Sequence, residues 1–149
     1  AAQRMIAAGR VAAPRGIVTR AALELAPETP FTVTADPQDR FVSRGGIKLA
    51  GALATTGLDV AGWTCLDVGQ STGGFTDCLL QADARHVVGV DVGHGQLHPR
   101  LLADSRVTAF EGINCRALVT ADLGDALPAD GFDLIVGDLS FISLTLVLP

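Results

Sequence analysis

The sequence is poor in reactive sulfur. Its 149 residues hold three cysteines, Cys65, Cys78 and Cys115, odd in number and scattered. No CxxC pair and no His-rich cluster accompanies them, which argues against a disulfide framework and a zinc site. A reducing, cytoplasmic setting without a metal is the expectation. Long apolar runs are missing too. The longest candidate, near the C-terminal end, is broken by Asp138, so no segment is expected to span a bilayer and no membrane partner is expected. Internal repeats and low-complexity tracts are absent. Lysine is almost absent: of eleven basic residues, only Lys48 is a lysine.

Apolar residues are plentiful. They make up 48% of the chain against 18% charged, enough for a packed core and too many for wholesale disorder. The length fits one ordinary domain, or a small one joined to part of a larger one. The net charge of −5 is unevenly spread. Residues 1–50 carry seven Lys/Arg against four Asp/Glu, and residues 51–149 carry four against twelve. A basic arm on an acidic body suits gripping a polyanion with one part and running chemistry with the other. A chance excess of arginine on a solvated face fits the charge equally well. The first twenty residues are Ala-rich, with four arginines and no acid, a composition that targeting presequences share. The chain does not begin with Met and stops at Leu148-Pro149 just after a strand pattern, so a piece of a longer protein is expected.

Along the chain, residues 1–8 read as the end of a helix closed by Gly9. VAAPRGIVT (11–19) reads as a hairpin turning at Pro14-Arg15-Gly16, and FTVTA (31–35) as a further strand. Asp36-Pro37-Gln38-Asp39-Arg40 is a polar breaker. Residues 1–35 and 43–149 are thus expected to be separate domains, joined by a linker over 36–42. Ser43 is placed to cap a helix through about Thr56, with Ile47, Leu49, Ala50 and Leu53 on one side. Strand patterns follow at WTCLDV (63–68), HVVGVDV (86–92), RVTAFEG (106–112) and FDLIVGD (132–138), with helices beginning near Gly74, Gln96 and Asn114. Strand and helix in alternation predict an α/β fold with a parallel sheet covered on both faces.

The stretch CLDVGQSTGGFTDCLL (65–80) reads as strand, glycine turn, helix start. From Gly69 it matches a phosphate-binding loop except that Phe75 replaces the lysine needed to reach a nucleotide's terminal phosphates. Asp67, just ahead of the turn, would repel a triphosphate. The dinucleotide fingerprint fits poorly, because its second glycine is Ser71. A nicotinamide or flavin cofactor stays open on that mismatch. The remaining ligand is a nucleoside without phosphates. S-adenosylmethionine has a cationic end that suits Asp67, and its ribose hydroxyls suit a second acid closing the next strand, which is Asp91. Either acid alone reads as an ordinary strand terminator; together with Gly69, Gly73 and Gly74 they read as a site. The N–H groups opening the helix would take the methionine carboxylate. Asp138, ending the fourth strand in GDLSFISL with Ser140 and Phe141 beyond it, either faces the substrate or caps a turn. Lys48 gains interest from SRGGIKL (43–49), where two glycines precede its helix.

VSRGGIKL, LDVGQSTGGFTDCLL, VDVGHGQL and GDLSFISLTLVLP, in that order, resemble the TlyA group, also called hemolysin A-like proteins. These are FtsJ-like methyltransferases acting on ribose 2′-hydroxyls of ribosomal RNA. The resemblance implies a Rossmann-like S-adenosylmethionine-dependent methyltransferase sheet, here its first four strands, preceded by the tail of a small α+β RNA-binding domain like that of ribosomal small-subunit protein four. It implies a Lys–Asp–Lys–Glu catalytic set, of which Lys48 and Asp138 match the first two members, while the second lysine and the glutamate fall beyond residue 149. It also implies cofactor contacts from Asp67, Gly69, Ser71, Gly73, Gly74 and Asp91, and ribosomal RNA as partner, gripped by Arg4, Arg10, Arg15 and Arg44. Asn114 falls where the group tends to have Asn-x-Arg. The sequence departs from the pattern at Gln70, where a small residue is usual and a larger one is expected to crowd the cofactor turn, and at His94, where an aromatic or basic residue is common. Two other readings stand beside this one: an RNA- and cofactor-binding module without catalysis, and a pore-forming hemolysin.

Overall fold

The computed structural model describes residues 2–34, 40–139 and 143–147. Most of the expected linker (36–39), Ala35, Ser140 and Phe141 lie outside the described residues. The chain divides into two compact units, Ala1–Arg40 and Phe41–Pro149.

The first unit begins with helix α1 (Ala2–Ala7), which ends where Gly9 takes the left-handed conformation (φ 67°) and donates its N–H to the Ile6 carbonyl. Strands β1 (Val11–Ala13) and β2 (Gly16–Ile17) pair antiparallel across Pro14 and Arg15. Strand β3 (Thr32–Val33) lies along the other side of β1, giving the order β2-β1-β3. It is shorter than the expected 31–35. Arg10 Nε donates to the Thr34 carbonyl at 2.8 Å and so fastens that edge.

The second unit opens with helix α2 (Gly45–Thr56), whose N-cap position is Arg44 rather than Ser43. Ser43 still serves the helix start, because its Oγ accepts from the Gly45 N–H at 3.3 Å. Gly57, at φ 70°, closes the helix with its N–H on the Leu53 carbonyl. Leu49 is buried and Ala50 and Leu53 pack on the core, but Ile47 is 39% exposed, so the inward stripe is narrower than expected.

Four parallel strands follow in the order β6-β5-β4-β7: β4 (Thr64–Val68), β5 (His86–Asp91), β6 (Val107–Glu111) and β7 (Leu134–Gly137). Every residue of β4 is buried, as a central parallel strand requires. Alternation along β4 and β5 sends Cys65 and Val87 to one face and Leu66, Val68, Val88 and Val90 to the other. The first face packs against α2, helix α3 (Gly74–Gln81) and helix α4 (Pro99–Leu102) through Leu49, Leu79 and Leu101. The second is covered by Leu123 of helix α5 (Thr120–Leu123) and by Leu118 and Leu127. The expected covering on both faces is therefore present. Burial pushes the Cys65 thiol up to about 11, so this cysteine is a packing residue.

Two helices are shorter than the sequence suggests. The one expected near Gln96 starts at Pro99, whose missing N–H suits a first helical turn, with the His98 ring capping it. The one expected near Asn114 is a 3-10 turn (Cys115–Ala117), capped by the Asn114 side chain and followed by α5.

Helix α2 lies against the start of α3. A methyl group on Gly74 would collide with Ser43 Oγ and lie 2.9 Å from the Gly46 backbone nitrogen. A backbone atom cannot rotate away, so Gly74→Ala should force the helices apart. A loss of about 1–3 kcal/mol is expected, measured by urea unfolding followed through Trp63, the only tryptophan. A change near zero would mean that α2 can slide without penalty.

Candidate active site

The strand order changes direction between β4 and β7, and an open parallel sheet leaves a crevice at the carboxyl ends of such a pair. Three carboxylates reach this edge. Asp67 lies in β4, Asp91 ends β5, and Asp138 follows β7 directly.

The turn after β4 is stitched to β5, with the Gly69 and Gln70 N–H groups both donating to the Val90 carbonyl at 2.9 and 3.1 Å. Ser71 then adopts φ 49°, a left-handed conformation that costs a non-glycine residue energy unless its surroundings hold it there. The holder is Asp91: its Oδ2 accepts from the Ser71 N–H and its Oδ1 from the Gly93 N–H, each at 2.7 Å. Ser71 thus takes a backbone shape that glycine adopts more readily. Gly73, at φ 90°, completes the turn, where a side chain would run into Leu101.

Asp67 is only 1% exposed. Its Oδ2 accepts from both the N–H (3.0 Å) and the hydroxyl (2.7 Å) of Thr76, in the first turn of α3. Gln70 Nε2 in turn donates to Thr76 Oγ1 at 2.9 Å. Burial raises the Asp67 pKa to about 6, the Thr76 bonds oppose that rise, and the Asp91 and Asp138 charges add to it. Asp67 therefore sits beneath the turn, and the contact with a cationic ligand expected from sequence would fall to its other oxygen. Gln70 does not stand up into the site. Its buried amide lies over Gly89, the β5 residue paired with Asp67, where any added side chain would overlap it.

Two cavities flank the turn. One, of about 370 Å³, is lined by Gly69, Ser71, Asp91, Val92, Gln96, Asn114, Cys115, Arg116, Asp138 and Leu139. The other, of about 230 Å³, is lined by Ser43, Gly45, Asp67, Gly69, Gln70, Ser71, Thr72, Gly74, Phe75 and Asp138. Gly69, Ser71 and Asp138 are common to both. At this junction Lys48 Nζ meets Asp138 Oδ2 at 2.6 Å, both side chains being substantially exposed. Ninety residues apart in sequence, they are joined because α2 packs on α3 beside β7's end.

The arginines are less concentrated. Arg4 and Arg15 are exposed on the first unit, in α1 and at the hairpin turn, while Arg10 has its Nε on Thr34. Arg44 belongs to the second unit, at the N-cap of α2. Thr76 and Asp77 had no distinguishing signal in the sequence. Asp77 is buried, accepting from the Val42 N–H and Arg100 Nη2 at 2.8 Å, and from Gln81 Nε2.

Residues 41–149 match the model of the family described as FtsJ-like methyltransferase. The chain belongs to that family. It is 45% identical over 148 residues to the 16S/23S rRNA (cytidine-2'-O)-methyltransferase TlyA of Mycobacterium tuberculosis, a match spanning 99% of this chain and 53% of the relative. It is 44% identical over 110 residues to Hemolysin A of Brachyspira hyodysenteriae, covering 74% of this chain and 44% of the other. Among solved structures, a protein described as a hemolysin from Streptococcus thermophilus superposes with a TM-score of 0.71 at 38% identity, over 99% of this chain and 52% of that one. The chain spans about half the length of the relatives it matches. The FtsJ-like region holds the glycine turn, Asp91, Lys48 and Asp138.

The raised Asp67 pKa has a defined consequence. Between its ordinary value of 3.8 and about 6, folded Asp67 keeps a proton that the unfolded chain has released. Its contribution to stability therefore falls as the pH rises through that window, by up to about 3 kcal/mol. Asp67→Asn keeps an acceptor for Thr76 and removes the titration. Stability measured at several pH values should thus fall less steeply over this window in the variant than in the wild type. Parallel profiles would place Asp67 in a more hydrated setting.

Proposed function

We propose that this chain carries the cofactor site and the first two catalytic residues of an S-adenosylmethionine-dependent methyltransferase acting on ribose 2′-hydroxyls of ribosomal RNA. The observation that carries the reading is the Lys48–Asp138 pair, 2.6 Å apart, whose aspartate lines both cavities around the glycine turn. Cytidine is the nucleoside we propose, on the name of the Mycobacterium relative, and the cytoplasm is the proposed site of action. The first unit is proposed as the tail of an RNA-binding domain like that of ribosomal small-subunit protein four, presenting Arg4, Arg10 and Arg15, with Arg44 adding to the grip from the second unit.

The residues fit S-adenosylmethionine. The larger cavity offers an acceptor carboxylate, Asp91, held by two backbone N–H groups, next to the apolar Val92 and Leu139. Neither Lys48 nor any other lysine stands in the turn to receive a phosphate. Asp91 would hold the ribose hydroxyls, Gly69, Ser71 and Gly73 would let the ligand lie close to the backbone, and Asp67 with the N–H groups opening α3 at Gly74 would face the methionine end. When bound, the cofactor supplies a methyl group on a positively charged sulfur.

A ribose hydroxyl is a weak nucleophile, so most of the chain's contribution is positioning. Asp138 accepts from Lys48 and fixes its ammonium. Together they offer a donor and an acceptor to the incoming hydroxyl and can steady the charge as its proton leaves. By family resemblance, proton removal is assisted by a second lysine outside residues 1–149, so activity should be measured on the natural full-length form. There, labelled-methyl transfer to unmodified ribosomal RNA should occur, and Lys48→Ala or Asp138→Asn should each slow it about 100-fold. On residues 1–149 alone, calorimetry should detect S-adenosylhomocysteine binding, weakened at least about 10-fold by Asp91→Ala. Undiminished transfer by both catalytic variants would refute the assignment.

The Hemolysin A name of the Brachyspira relative raises a pore-forming alternative. Among the described residues no helix is long and apolar enough to cross a membrane. Liposome leakage without methyl transfer would favour it.

A further inference from the structure

Gln96 lines the larger cavity beside Asp91. It is exposed, and one end of its amide is fixed: Oε1 accepts from Ser71 Oγ at 3.2 Å. The other end lies over the bare Cα of Gly93. A methyl group there would be 2.5 Å from Gln96 Nε2 and 3.1 Å from Asp91 Oδ1, so the amide nitrogen and the carboxylate converge on one spot of the cavity wall. Among the described residues, Gln96 Nε2 donates to no protein group, whereas both Asp91 oxygens already receive backbone N–H groups.

The chemistry of the pair is complementary. A ribose hydroxyl both donates one proton and accepts at its oxygen. A carboxylate can only accept, so Asp91 alone satisfies half of each hydroxyl. The Gln96 amide supplies the missing donor, pre-oriented by Ser71 from the turn itself. We propose that Gln96 is a cofactor-binding residue that recognises the vicinal diol of the ribose jointly with Asp91, and that Gly93 lacks a side chain to leave room for its amide. This rests on the cofactor reading above.

The test is calorimetric titration of the 149-residue chain with S-adenosylhomocysteine and with its 2′-deoxy and 3′-deoxy analogues. Truncating an exposed side chain leaves the core intact, so Gln96→Ala should fold as the wild type does. It should bind S-adenosylhomocysteine about 3- to 10-fold more weakly, the worth of one neutral hydrogen bond. The penalty for removing one of the two hydroxyls should shrink by the same factor. Gly93→Ala, which drives the amide off its seat, should reproduce that loss of discrimination. Unchanged affinity in Gln96→Ala would overturn the proposal. So would weaker binding with both deoxy penalties unaltered, the mark of a merely structural role. Absence of wild-type binding would remove the cofactor reading itself, and this inference with it. Binding by the wild type with no effect in the variants would remove only the inference.

Discussion

A buried carboxylate fastens the edge of the sheet to the helix that follows it. One Asp67 oxygen accepts from both the backbone N–H and the hydroxyl of Thr76, and this pair of hydrogen bonds across the turn fixes where α3 begins. Taking that charge out of water is unfavourable, which is why its pKa rises despite two hydrogen bonds. The structure bears this cost in return for a defined shape. Between two pinned ends, the five residues Gly69 to Gly73 have little freedom left. Asp91 pins the middle by holding Ser71 in a conformation that serine rarely adopts. The result is an open turn with a polar rim and no lysine or arginine within it, a shape suited to a nucleoside.

The same helix start governs the Lys48–Asp138 ion pair. Gly74 has no side chain, so α2 can lie against α3 at backbone distance. That approach brings Lys48 over the end of β7, where Asp138 waits. The start of α3 thus serves both features: it receives Asp67 at one end of the glycine turn, and it seats the helix that carries Lys48. The arrangement would serve the methyl transfer proposed above. Lys48 and Asp138 come from elements far apart in sequence, and Asp138 borders both cavities beside the turn.

Much of this was legible in the sequence because parallel strands announce themselves. WTCLDV, HVVGVDV and FDLIVGD are rich in apolar residues, and each carries an acid at or next to its last residue, which marks Asp67, Asp91 and Asp138 as neighbours on one edge. Helix lengths were less legible. The pattern from Gln96 looked helical, but Pro99 sets where the helix can begin and only one turn follows. Gln70 was expected to crowd the site, and a sequence does not say that its side chain turns inward onto Gly89. Gln96, Thr76 and Asp77 escaped notice for the same reason: their roles depend on side-chain direction, which tertiary packing decides. The two glycine pairs were noticed, but their meaning, one helix lying against another, became clear only once α2 and α3 were seen together.

The central claim is that a phosphate-free nucleoside cofactor lies across Gly69–Gly73 with its reactive end toward Lys48 and Asp138. A crystal structure of the chain with S-adenosylhomocysteine tests it most directly. The account predicts the ribose against Asp91 and the sulfur opening toward the ion pair. A ligand bound elsewhere, or one in this crevice with its sulfur turned away from Asp138, would contradict it.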